Sequence, residues 1–246
     1  MKGGAAFPVR LRYTKHGKIR WISHCDVARA LERAFRVCEL PLAFTVGFSP
    51  HPRISFGLAL STGHESDAEY VDLVLTREVD LEEVIGQLLG ALPEGMAVVE
   101  ASVLNDRAPA LQDAVTAVEW RVEVAHDDGT PVPTRTLQES VASGLALRAL
   151  PVVRQRKGRE VVEDVRPVIR RLNVDGDGCV EMELSTHPRS ARPGDVLSAI
   201  AQATGVAGGL ADVRALRTNQ WIERDGARLE PLRADTRPRV PEARAS

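Results

Sequence analysis

Val9-Arg-Leu-Arg-Tyr-Thr-Lys-His-Gly-Lys-Ile-Arg-Trp-Ile-Ser-His-Cys-Asp-Val-Ala-Arg-Ala-Leu-Glu-Arg-Ala-Phe-Arg-Val-Cys38 carries two hydrophobic periods in one stretch. Val9, Leu11 and Tyr13 alternate with arginines, which is the period of a half-buried strand. His16-Gly17 marks a turn, and Ile19 to Ile22 reads as a second short strand. Ser23 and Asp26 then form a capping box. Beyond it Val27, Ala30, Leu31, Ala34 and Cys38 share one face of a helix, which Pro41 ends.

The pattern continues outward from this stretch. Strands are expected at about 42–46, 54–60 and 70–75. Asp80 and Glu83 cap a second helix carrying Leu81, Val84, Ile85, Leu88 and Leu89, and 96–103 reads as a strand. The second half repeats the order. Val118, Trp120, Val122 and Val124 alternate, and Thr136 with Glu139 opens a helix through Leu150. Strands follow within 152–174, broken at Lys157-Gly158, and at 180–184. Pro193 starts a helix that Gly205 ends, and 213–216 closes with a strand. Each half therefore reads as β-α-β-β-α-β. The expected fold is α+β, with two tandem ferredoxin-like units built on antiparallel sheets. The units span 1–103 and 117–225, joined by a linker over 104–116. The tail 226–246 is rich in Arg, Pro and Ala with few apolar anchors and is expected to be disordered.

Composition narrows the function classes. No apolar run is long enough to cross a bilayer, and the first residues lack the apolar core of a signal peptide. Aromatic residues make up 4% of the chain, which argues against a broad aromatic platform for nucleic-acid bases. Cys25, Cys38 and Cys179 form no disulfide framework and no CxxC pair, so a reducing cytoplasm is expected. Charge is uneven along the chain. Residues 1–60 carry ten Lys and Arg against three acids, and residues 61–120 carry two against thirteen. The basic part is a candidate for phosphate contact. Alternatively, the two regions neutralise each other within the fold.

The loop in Phe44-Thr-Val-Gly-Phe-Ser-Pro-His-Pro-Arg-Ile-Ser-Phe-Gly-Leu-Ala-Leu60 places His51 between two prolines. Proline fixes its own φ and restricts the residue before it, so Ser49 and His51 are held extended. Arg53 follows, and Ser49 and Ser55 add hydroxyls. A stiff loop with an imidazole and a guanidinium suits an anion; it also suits a rigid hairpin with a solvated histidine. His24 and Asp26 in the first helical turn, with His51, are candidates for acid–base chemistry. They lack an obvious fourth ligand for a metal, so neither metal nor cofactor is expected. Alternatively, His24 bonds Asp26. Arg29, Arg33 and Arg36 share a helix face and form a candidate phosphate stripe, unless Glu32 pairs with them. Arg154, Arg156 and Lys157 surround a glycine turn that could track a nucleic-acid backbone or simply be solvated. Lys15 is a further phosphate candidate, and Glu65 and Glu69 are expected to receive Arg53 or Lys15.

Four ordered motifs carry a resemblance. They are Arg12-Tyr-x-Lys-x-Gly17, Ser23-His-x-Asp26, Gly47-Phe-Ser-Pro-His-Pro-Arg53 and Gly63-x-Glu-Ser-x-x-Glu-Tyr70. Ala108-Pro-Ala-Leu111, Arg154-Gln-Arg-Lys-Gly158 and Asp164-Val-Arg-Pro167 extend it. The chain resembles the radical-SAM-associated domain, domain-of-unknown-function family 2344. The resemblance implies association with a B12-type radical SAM protein, genomic company with ribonuclease E/G and ribosomal proteins, and hence a connection to RNA. The chain has no CxxxCxxC motif, so iron–sulfur chemistry would be the partner's. Three functions follow as expectations. The first is an accessory RNA-recognition protein working with a radical SAM enzyme. The second is a metal-independent RNA-processing or RNA-modifying enzyme using His51 or His24. The third is a protein-binding adaptor docking through the acidic 61–120 region. Binding, rather than independent catalysis, is the leading expectation.

Overall fold

A computed structural model describes residues 6–105, 108–156 and 158–236, the side chains of Gln155 and Arg156 excepted. In chain order the elements are β1 (Phe7–Lys15), a 3-10 turn (Gly17–Trp21), α1 (His24–Val37), β2 (Ile54–Phe56), β3 (Glu65–Leu75), α2 (Leu81–Ala91), β4 (Met96–Val103) and α3 (Leu111–Ala114). They continue as β5 (Ala117–Ala125), α4 (Thr134–Ala146), β6 (Pro151–Arg156), β7 (Arg159–Asp164), a 3-10 turn (Arg166–Val168), β8 (Ile169–Val174), β9 (Val180–Ser185), α5 (Pro193–Thr204), β10 (Ala211–Arg224), β11 (Ala227–Leu229) and α6 (Pro231–Ala234).

One nine-stranded sheet runs through both halves in the order β4-β1-β3-β10-β5-β9-β8, with β2 on β3 and β11 on β10. The sheet is mixed rather than two separate antiparallel sheets. β10 meets β3 in parallel, Leu216 opposite Glu65 and Arg217 opposite Ser66, and meets β5 in antiparallel register. β6 and β7 form a separate two-stranded ribbon.

Two apolar clusters hold the halves. Val9, Leu11 and Tyr13 of β1 and Val71, Leu73 and Leu75 of β3 pack with Val27, Leu31, Ala34 and Phe35 of α1 and with Leu88 of α2. The second cluster joins Trp120 and Val122 of β5, Met182 and Leu184 of β9, Leu137 of α4 and Ile200 of α5. Ala68 and Tyr70 of β3 belong to this second cluster. Successive strand residues point to opposite faces, so β3 contributes to both cores.

Local chemistry sets most boundaries as the sequence predicts. Ser23 Oγ accepts the Asp26 N–H at the start of α1, Asp80 accepts from Glu82 and Glu83 at the start of α2, and Gly205 ends α5 in the left-handed conformation. Several expectations change; the strand expected over 54–60 ends at Phe56, and β3 begins at Glu65. Residues 19–22 belong to a 3-10 turn and its exit, because the Gly95 carbonyl takes the His16 N–H and the chain turns instead of extending. Residues 42–46 make isolated bridges only. α4 is capped three residues early, at Pro133, which leaves Thr136 inside the helix, and it ends at Ala146 rather than Leu150. The stretch 104–116 is no free linker, since Leu111 and Val115 are buried in the second core.

The segment after 226 departs furthest from expectation. β11 pairs with β10, and the chain from Glu230 through α6 then packs on the face of the first-half sheet opposite α1 and α2. There Arg10, fully buried, pairs with Asp72 at 2.7 Å and donates to the Pro231 carbonyl. Arg12 and the Tyr70 hydroxyl both donate to Glu230, and Leu232 is fully buried. Few apolar residues suffice because the anchors are arginines of β1 meeting a carbonyl and a carboxylate. Residues 237–246 of the expected tail lie outside the described residues. Leu232→Ala should cost about 2–5 kcal/mol by cavity formation, measured by urea unfolding; an unchanged midpoint would contradict this docking.

Candidate functional site

The sequence candidates sit at two ends of α1. At its start the Asp26 carboxylate accepts from the Ser23 hydroxyl at 2.7 Å and from Arg29 at 3.0 Å. The Ser23 bond, supported by Arg29, holds the Asp26 carboxyl below its ordinary range. His24 does not bond it; its ring packs edge-on against Phe56, centroids 5.3 Å apart. Beyond the end of α1, residues 43–53 form an arm. Thr45 and His51 exchange bonds, the Thr45 N–H to the His51 carbonyl and the His51 N–H to Thr45 Oγ1. The Arg53 N–H meets the Ala43 carbonyl, and both residues bond Val74 of β3. The two prolines thus stiffen an arm clipped to the sheet at its base.

Ser49, His51, Arg53 and Ser55 are exposed, and Val46 and Phe48 at the tip are wholly so. His51 precedes Phe56 by five residues of extended chain, roughly 16 Å at about 3.3 Å per residue. Since His24 lies at Phe56, the arm and the helix start are at opposite ends of one ladder. No hydrogen bond or ring contact joins His51 to His24 or Asp26 among the described residues.

Arg29, Arg33 and Arg36 are all exposed on α1. Arg29 pairs with Asp26, while Glu32 forms no ion pair with the stripe among the described residues. An exposed pair of this kind is weak and yields readily to a competing anion. Other cations expected to meet phosphate are already engaged. Lys15 is 2% exposed, and its Nζ donates to the carbonyls of Arg20 and Ile22; burial lowers its pKa, with the nearby Glu69 charge opposing. Arg154 pairs with Glu163 at 2.8 Å and Asp195 at 2.6 Å, fastening the β6–β7 ribbon to the start of α5. Lys157 and the Arg156 side chain lie outside the described residues.

The acids of β3 form a second constellation, and they take neither Arg53 nor a direct bond from Lys15. Glu69 pairs with Arg217 of β10 at 2.8 Å, both side chains 5% exposed. Arg217 also donates to the carbonyls of Leu58 and Ala59 and lies over Trp120, 4.9 Å from the ring centroid. Glu65, also buried, accepts from Arg214 and from the Gly17 N–H. His64 bonds Asp212 at 3.0 Å and meets the Trp120 ring. These groups join the two halves. Burial and the Glu69 charge push the Tyr13 hydroxyl beside them well above its ordinary pKa, against the pull of Arg217. The sealed charges make this seam a clamp, and they remove Glu65 and Glu69 from any surface on which an adaptor partner would dock.

Sequence reasoning missed His64, Trp120, Asp212, Arg214 and Arg217. The available signal was Glu65, Asp67 and Glu69 at alternate positions of an otherwise apolar strand, a pattern that calls for buried cations.

A family model described as "Uncharacterized protein conserved in bacteria (DUF2344)" matches residues 9–193. No curated protein matches the sequence. Among solved structures, a dye-decolorizing protein from V. cholerae aligns at 9% identity, covering 87% of this chain and 93% of that one, with a TM-score of 0.22. A putative dyp-type peroxidase protein from Shewanella oneidensis aligns at 12% identity over 87% and 91%, TM-score 0.22. DyPB from Rhodococcus jostii RHA1 aligns at 11% identity over 87% and 92%, TM-score 0.20. At these scores the alignments establish neither a shared architecture nor a shared chemistry.

Removing one partner of a buried pair strands the other charge. Arg217→Met should lower unfolding free energy by roughly 3–5 kcal/mol, and adding Glu69→Leu should restore part of it in a double-mutant cycle; additive losses would contradict the clamp. Burial alone would raise the Glu65 pKa, but Arg214 and the Gly17 N–H outweigh it and hold the value low. A lowered folded value gives stability that is present above the unfolded pKa and lost as pH falls through the folded one. Glu65→Gln should therefore lower stability at neutral pH and blunt the further loss below about pH 4, followed by chemical unfolding across pH.

Proposed function

We propose that this chain, which belongs to the bacterial family DUF2344, is an accessory RNA-recognition protein working beside a B12-type radical SAM protein, with α1 as its RNA-contacting element. The observation that carries the reading is the outward face of α1. Arg29, Arg33 and Arg36 stand there exposed, and Arg33, Arg36 and the neighbouring Arg53 have no ion pair among the described residues. Over 17–53 the sequence carries six Lys and Arg against three acids. α1 is about 21 Å long at 1.5 Å per residue, enough to lie along several phosphates. The arm at its far end adds His51 and Arg53.

The family resemblance supports the radical SAM partner and the RNA setting. Three unlinked cysteines suit a reducing cytoplasm, and no helix among the described residues is long and apolar enough to cross a membrane. The architectural part of the proposal is that each half is a ferredoxin-like unit. Its support is the strand order, β4-β1-β3-β2 in the first half and β10-β5-β9-β8 in the second, which match once the separate β6–β7 ribbon is set aside. Such units serve many functions, so the helix surface, not the fold, bears the functional argument.

Binding of short RNA, followed by fluorescence anisotropy across salt concentrations, should weaken steeply as salt rises. Arg33→Ala, Arg36→Ala and Arg53→Ala should each flatten the logarithmic salt slope by about 0.7, the value for one phosphate contact on a single strand. Arg135→Ala on the distant α4 surface should leave it unchanged. Salt-insensitive binding, or a triple variant that binds like the parent, would refute the assignment.

A further inference from the structure

At the other end of α1 stands the one tryptophan that faces solvent. Trp21 is 62% exposed, whereas Trp120 is buried and Trp221 lies beneath the Arg228 guanidinium. Its position is built from below. The Arg20 carbonyl accepts the Gly63 N–H at 2.8 Å and the Lys15 amine at 3.0 Å, and the same buried amine reaches the Ile22 carbonyl. The backbone on both sides of Trp21 is therefore fastened to the interior. Gly63, at φ +90°, lies against the indole, and a Cβ there would come within 3.1 Å of Cζ3. The Arg20 guanidinium lies over the ring, 5.0 Å from its centroid, so a base stacking on that face would displace it toward the adjoining phosphate.

The turn itself is cationic, its acidic neighbours Asp67 and Glu65 being engaged by His16 and by the Gly17 N–H. Thr14 to Cys25 contains no acidic residue, and neither exposed Lys18 nor Arg20 has an ion pair among the described residues. A fixed, exposed indole flanked by unneutralised cations suits a ligand with both an aromatic face and negative charge. We propose that Trp21 is a stacking platform for an unpaired base of single-stranded RNA, with Lys18 and Arg20 on the adjoining phosphates. This rests on the RNA reading of α1 and extends it, since Trp21 immediately precedes the helix that bears the arginine stripe. A duplex hides its base faces within the stack, so only an unpaired base can meet the ring.

The test uses the full chain, an unlabelled oligouridylate and an RNA duplex of equal length. Oligouridylate should quench tryptophan emission on binding. Trp21→Ala should abolish the quenching and weaken binding about 5- to 150-fold, the range for losing one base–aromatic stack. Trp21→Phe should retain most of the affinity, which separates lost stacking from lost folding. Duplex binding should be indifferent to Trp21→Ala. Salt-sensitive binding without quenching, unchanged in Trp21→Ala, would overturn the platform while leaving the RNA reading intact. Absence of salt-sensitive binding to either RNA would overturn the RNA reading itself.

Discussion

The insertion of β10 between β3 and β5, with Arg217 locked on Glu69, is the constraint from which the rest of the structure follows. The pair is sealed between the halves, and the guanidinium also caps two carbonyls and covers the Trp120 ring. A buried pair adds little net stability over apolar residues of equal volume, yet losing one partner is costly. Its effect is to select one register. Any slip of β10 along β3 would carry Arg217 away from Glu69 and Arg214 away from Glu65, leaving four charges unmatched. Two core clusters that could each have been closed separately are thereby tied into one sheet.

This arrangement explains the uneven charge of the sequence. Three acids of the acidic stretch, Glu65, Glu69 and Asp72, take Arg214, Arg217 and Arg10, while Glu78, Asp80, Glu82, Glu83, Glu94 and Asp113 stay exposed. The basic stretch divides. Arg10 and Lys15 turn inward to anchor the C-terminal segment and the Gly17–Trp21 turn, while Lys18, Arg20, Arg33, Arg36 and Arg53 remain at the surface. Of these three pairs only Arg10–Asp72 joins the basic stretch to the acidic one, while Glu65 and Glu69 are neutralised from β10; strand parity together with helix face decides which cations stay outside. Even-numbered residues of β1 meet the C-terminal segment, and the outward residues of α1 meet solvent.

Much of this was legible in the sequence. Alternation exposed β1, β5 and β9, and the Ser23 and Asp80 caps placed α1 and α2. The arginine stripe on α1 and the exposed arm followed from helical spacing and proline stiffness. Other features were hidden for identifiable reasons. β10 is fourteen residues long but interrupted by register shifts between Asp212 and Arg214 and between Arg217 and Asn219, which breaks the period-two pattern that marks a strand. The C-terminal segment docks through arginines and backbone carbonyls, so hydropathy reads it as a tail. Lys15 looks like a surface cation until Glu69 and the carbonyls above it are placed. The importance of Trp21 depends on exposure, and no periodicity reports that for a residue in a 3-10 turn.

The central claim is that one continuous surface, from the Gly17–Trp21 turn along α1 to the 43–53 arm, meets RNA. The most direct measurement is ultraviolet crosslinking of the full chain to a short unstructured RNA, with the modified peptides mapped by mass spectrometry. The account predicts adducts on peptides containing Trp21, the outward face of α1 and the arm. Adducts confined to the β6–β7 ribbon or to β3, with none within 17–53, would contradict it.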